Sequence, residues 1–182
     1  MSRKMKAILP LAVLGILMML PGGSQAQTNS NIATVSLIAG ISPYVSVSVN
    51  VASVNFTLAP GTGPTAGSNS VIVTTNWGLA GPANVALWGS FANAATALTN
   101  GTDNIPSSAV SANVNTVPAG TFTATGPAGF GGPSAGLQIN SGAVAAVGTW
   151  NDTLDLFIDL IPFPTLSSGT YTGTLSLQAQ AI

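Results

Sequence analysis

Val45-Ser46-Val47-Ser48-Val49-Asn50-Val51 alternates apolar and polar residues at a period of two. In an extended chain successive side chains point to opposite faces, so this stretch reads as a strand with one buried and one wet face. Four more runs repeat the pattern. Val71, Val73, Thr75 and Trp77 form the second, with Trp77 read as core, and Val85, Leu87, Gly89 and Phe91 the third, with Trp88 on the opposite face. Leu154, Leu156, Ile158 and Leu160 alternate with Thr153, Asp155, Phe157 and Asp159. Near the C-terminus, Tyr171, Gly173, Leu175, Leu177, Ala179 and Ala181 alternate with Thr and Ser and then with Gln178 and Gln180.

Weaker strand patterns cover residues 32–38, 54–58, 108–117, 120–125, 137–139 and 143–150. Residues 60–70 and 126–136 are rich in Gly and Pro and read as loops, and Asn100-Gly101 is a turn signal. Residues 92–98 offer at most one short helical turn. Many short strands between Gly, Pro and Asn turns predict an all-β chain, an antiparallel immunoglobulin-like β-sandwich. No repeat at a fixed period points to a propeller or solenoid.

The N-terminus has a different chemistry. Arg3, Lys4 and Lys6 precede an apolar run, residues 7–20, and Ser24-Gln25-Ala26 places small residues at a cleavage site. This is the pattern of a secretory signal peptide, residues 1–26, and the run falls short of the ~20 residues of a membrane-spanning helix. The expected mature domain, residues 27–182, is then periplasmic, at the cell surface or extracellular, without a transmembrane anchor. It contains no Lys, Arg, His, Glu, Cys or Met, and its only acids are Asp103, Asp152, Asp155 and Asp159.

That inventory removes whole classes of function. Without His, Cys, Lys or Glu there is no ordinary catalytic triad, thiol nucleophile, Schiff base or imidazole base. Zinc, copper and iron sites lack their usual ligands. Nucleic-acid binding lacks the cations that neutralise phosphates. Asp155 and Asp159 share one face of a strand at roughly 13–14 Å, too far apart for the ~5–9.5 Å of glycosidase carboxylates. They read instead as groups that keep an outer face wet. No EF-hand loop gathers the aspartates for calcium. We therefore expect a non-enzyme without cofactor or metal. Asn55, Asn100 and Asn151 each open a glycosylation sequon, of a kind that chance supplies in so Asn- and Thr-rich a chain.

The segment Ser168-Gly169-Thr170-Tyr171-Thr172-Gly173-Thr174-Leu175-Ser176-Leu177 resembles the final strand of spore-coat-U-type and fimbrial secreted proteins, and the apolar stretch 33–41 followed by 44–56 resembles their opening. Gly169 stands fourteenth from the C-terminus, as in pilins of that kind. The penultimate residue is Ala181 rather than an aromatic, and there is no Cys pair. The resemblance implies a surface or fibre subunit that associates with itself or with homologous subunits, in some cases with a periplasmic chaperone.

The physical pattern points the same way. Long alternating strands without one Lys lack the usual guard against edge pairing. The candidate assembly strands carry Val35, Leu37, Ala39 and Ile41 at one end and Tyr171, Leu175 and Leu177 at the other. Strand 33–41 paired within its own domain would make a self-complete monomer; the same strand free, with an open apolar groove, would make a donor. The alternatives are a glycan-binding or adhesin module resting on Trp88 and Trp150, and a small outer-membrane barrel.

Overall fold

The computed structural model describes residues 32–182, and the expected signal peptide lies outside them. The chain divides into two units, Met1–Ala39 and Gly40–Ile182. Of the first, residues 32–39 are coil with every side chain exposed.

The second unit is built from eleven strands: β1 (Tyr44–Val49), β2 (Thr65–Ala66), β3 (Val71–Gly78), β4 (Ala83–Ser90), β5 (Leu98–Thr99), β6 (Asn104–Ile105), β7 (Val110–Val114), β8 (Val117–Thr121), β9 (Gly136–Val144), β10 (Val147–Ile158) and β11 (Ser176–Ala181). One 3-10 turn, Ser107–Ala109, precedes β7. Among the described residues no helix is long and apolar enough to cross a membrane.

All pairing is antiparallel. One sheet runs β1-β3-β10-β7-β8, with β2 added to the end of β10; the other runs β11-β4-β9; β5 and β6 form a separate hairpin. The two larger sheets share one apolar core. Val73, Leu154 and Ile158 of the first meet Leu87, Leu137 and Ile139 of the second, and Phe122 packs edge-to-face on Phe91 at 5.2 Å. A smaller cluster gathers Trp77, Val85 and Val144. The all-β antiparallel sandwich expected from the alternation is the fold of this chain, and both sheets end in free edges rather than closing into a barrel.

Several expected elements differ. Residues 32–38 form no strand, because no ladder pairs them. Residues 54–58 keep their alternation, with Val54, Phe56 and Leu58 half-buried on the core, but they too lie outside any ladder. Residues 92–98 contain no helix. The stretch 143–150 is broken by a turn that crosses from one sheet to the other, with β9 ending at Val144 and β10 starting at Val147. Its turn residues Ala145 and Ala146 are held by tertiary bonds: Trp77 Nε1 donates to the Ala145 carbonyl at 3.0 Å, and Leu79 N to that of Ala146 at 2.6 Å. The last strand is shorter than its pattern, since β11 starts at Ser176 and Tyr171 and Leu175 lie before it.

Candidate assembly groove

β1 and β11 are the neighbouring edges of the two sheets, and each is paired on one side only. Alternation places Val45 and Val47 toward the core and Ser46 and Ser48 outward. In β11, Leu177 and Ala179 face the core. Past Val49 the chain continues as residues 51–58; before Ser176 it arrives through residues 171–175. Both stretches are outside the ladders, apart from an isolated bridge between Thr172 and Thr99. Between them lies an open apolar groove of about 330 Å³, walled by Val51, Val54 and Phe56 on one side and by Gly173, Leu175 and Leu177 on the other, with Leu156 and Ile158 at its floor. It continues into a second hollow of about 740 Å³ beside Leu58, Leu166 and Tyr171. Val54, Phe56, Leu98 and Gly173 line both.

The far wall is pinned by the β5–β6 hairpin. Thr99 and Thr172 exchange two backbone bonds of 2.9 Å. Asp103 Oδ2 accepts from Ser167 N at 2.8 Å, and Asn100 Nδ2 donates to Ser167 Oγ at 3.1 Å. Asn100 Oδ1 accepts from Thr102 N and Asp103 N, which fixes the turn at Gly101, where φ is +90°. Tyr171 Oη donates back to the Ser167 carbonyl at 3.0 Å. Hydrogen bonds from Ser167, side chain first and backbone second, hold the Asp103 carboxyl below its ordinary value. Gly173 has no room for a side chain: a Cβ there would stand 2.0 Å from the Ala97 carbonyl oxygen.

The other carboxylates are dispersed. Asp155 accepts from Ser70 Oγ and Asp159 from Ile161 N. Asp152 is 2% exposed, on the inner face of β10. It ties three elements together: Asn140 Nδ2 of β9 reaches both its oxygens at 3.1 Å, and Asn115 Nδ2, from the β7–β8 turn, reaches Oδ1 at 2.9 Å. The signal for this clasp was present in the sequence, since Asp152 has the same parity as Leu154, Leu156 and Ile158. Thr75 Oγ1, on the inner face of β3, is buried without a partner. Among the described residues no three His, Cys, Asp or Glu side chains gather as metal ligands.

Of the candidate residues, Leu175 and Leu177 line the groove and Tyr171 lines its continuation. Val35, Leu37 and Ile41 are 82, 91 and 96% exposed, and Ala39 is exposed as well. Trp88 and Trp150 are not brought together. Trp150, on β10, packs edge-to-face on Trp77 at 5.1 Å, whereas Trp88 is half-buried on β4 of the other sheet. The groove walls at 51–58 escaped the sequence reading, because a vacant neighbouring lane leaves no mark on alternation. No protein-family model, curated protein or solved structure matches this chain.

Proposed function

We propose that this chain is an exported, non-catalytic structural protein that self-associates through its sheet edges at a surface or in a fibre-like assembly. The observation that carries the reading is the pair of uncharged edges, β1 and β11, that border an open apolar groove. An unpaired edge presents a row of backbone donors and acceptors, and a second chain completes it unless charge, Pro or a bulge prevents this. Here β1 and β11 contain only Tyr, Val, Ser, Leu, Gln and Ala, and their ladders run without register shifts. Export is supported by the signal-type N-terminus. A non-catalytic role is supported by the dispersal of the four aspartates, each held by neutral donors in its own part of the fold.

The test is light scattering on the exported protein, from micromolar to millimolar concentration, beside a gel run without boiling. Mass rising with concentration and a ladder of discrete bands are expected. A strictly monomeric protein across that range would overturn the reading.

A further inference from the structure

We propose that the outer face of the first sheet, where β1 begins and β3 ends, binds a neutral polysaccharide chain through Tyr44 and the rows of Asn, Thr and Ser beside it. This face is separate from the groove and stays open whichever edge is paired, so the inference does not rest on self-association.

Register builds the face row by row. Tyr44, Gly78 and Val147 stand abreast on β1, β3 and β10. Ser46, Asn76 and Thr149 form the next row, and Ser48, Thr74 and Asn151 the one after. All have the outward parity, opposite to the buried Val73, Thr75 and Trp77. The first row is apolar. Gly78 has no side chain, so the Tyr44 ring lies over it, and a Cβ there would stand 2.6 Å from Tyr44 Cε1. Tyr44 is nonetheless 54% exposed, and Val147 beside it 74%. The ring is held against the sheet and still open to solvent.

The next two rows are hydrogen-bonding. Thr149 Oγ1 donates to Asn76 Oδ1 at 2.6 Å, and Thr74 Oγ1 to Asn151 Oδ1 at 2.8 Å. These bonds take up the amide oxygens, fix the amide planes and leave the Nδ2–H groups to an outside acceptor. Rows two residues apart stand about 6.8 Å from one another, so ring and amides together span roughly 14 Å. That is the reach of several linked units, not of one small ligand.

A sugar chain matches this chemistry. Its ring C–H face stacks on an aromatic ring, and its hydroxyls accept from amide donors and donate to hydroxyl oxygens. Charge selects the neutral class. The three rows contain no acid and no base, and Asp155 lies two rows beyond Asn151 on the same face of β10. The described residues hold four aspartates and no Lys, Arg or His. An acidic polysaccharide would meet like charge with no cation to offset it. The Thr–Asn bonds set the amides before a ligand arrives, which lowers the ordering cost of binding.

The test is affinity electrophoresis of the exported protein in gels cast with hydroxyethyl cellulose, glucomannan or dextran, all neutral, and with the acidic carboxymethyl cellulose. At least one neutral polymer should retard the protein, and carboxymethyl cellulose should not. Tyr44→Ala and Asn151→Ala should each weaken the retardation by on the order of tenfold while keeping the circular dichroism of the wild type. If Tyr44→Ala does not fold, Asn151→Ala, at an exposed position, decides alone. Retardation by none of the neutral polymers would overturn the inference. Retardation unchanged in the folded variants would overturn this face as the site, and equal retardation by carboxymethyl cellulose would overturn the neutral class. Light scattering reads self-association separately, so either reading falls without the other.

Discussion

Replacing Asp152 with alanine removes the acceptor that ties β10 to β9 and to the β7–β8 turn. The carboxylate is 2% exposed, and the described residues contain no basic side chain that could stand beside it. Its desolvation is offset only by the amides of Asn140 and Asn115, at 3.1 and 2.9 Å. A hydrogen bond to a charged group contributes about 1.5–3 kcal/mol net, so two donor groups give roughly 3–6 kcal/mol. Relief of the buried charge returns part of that when the carboxylate is removed. The expected net loss for Asp152→Ala is about 2–4 kcal/mol, with the half-buried Asn140 amide left without this acceptor and the exposed Asn115 amide turned to water. Asp152→Asn keeps the shape and one acceptor but sets its own NH₂ against those of Asn140 and Asn115, so a loss of about 1–2 kcal/mol is expected. Urea unfolding followed by tryptophan fluorescence measures both. A stability of Asp152→Ala within about 0.5 kcal/mol of the wild type, the scatter of ordinary surface substitutions, would show instead that the desolvation penalty cancels the clasp.

Other outcomes follow from the groove and its wall. Gly173→Ala forces a Cβ against the Ala97 carbonyl and is expected to cost about 1–3 kcal/mol by overpacking, read as a lower urea midpoint. Asp103 has a lowered folded pKa, so its contribution to stability is fully present above the unfolded carboxylate value of ~3.9 and is lost as pH falls through the lower folded value. The Asp103→Asn variant should therefore show a flatter decline in melting temperature between pH 5 and pH 2 than the wild type, and an equally steep decline would contradict the role given to the Ser167 contacts. Between pH 5 and pH 9 the melting temperature of the wild type should be nearly constant, since residues 27–182 contain no His or Cys to titrate there.

The sandwich was legible because its central strands are half-buried on a regular period. Val71 to Trp77 and Leu154 to Ile158 place every second residue in the core, and alternation reports burial directly. Asn100-Gly101 was legible as a turn because its chemistry is local. What escaped depends on partners distant in sequence. The β9–β10 turn at Ala145 and Ala146 has no turn residue and is held by Trp77 and Leu79. Residues 54–58 alternate as a strand does, since Val54, Phe56 and Leu58 rest on the core, yet alternation records which face is covered and not whether a neighbouring strand is present. The same limit applies to residues 33–41, which read as a strand and stand unpaired. The groove is thus the place where strand-like sequence and ladder part company, on both walls.

Amide hydrogen exchange on the groove walls tests self-association at these edges most directly. In dilute, monomeric protein, residues 51–54, 56–58 and 173–175 should exchange rapidly, because their amides belong to no ladder, while β3 and β10 stay protected. In the associated protein the same wall residues should become protected together. Association that leaves those amides exchanging as fast as in the monomer would contradict self-association at this groove, since the copies would then be joined elsewhere.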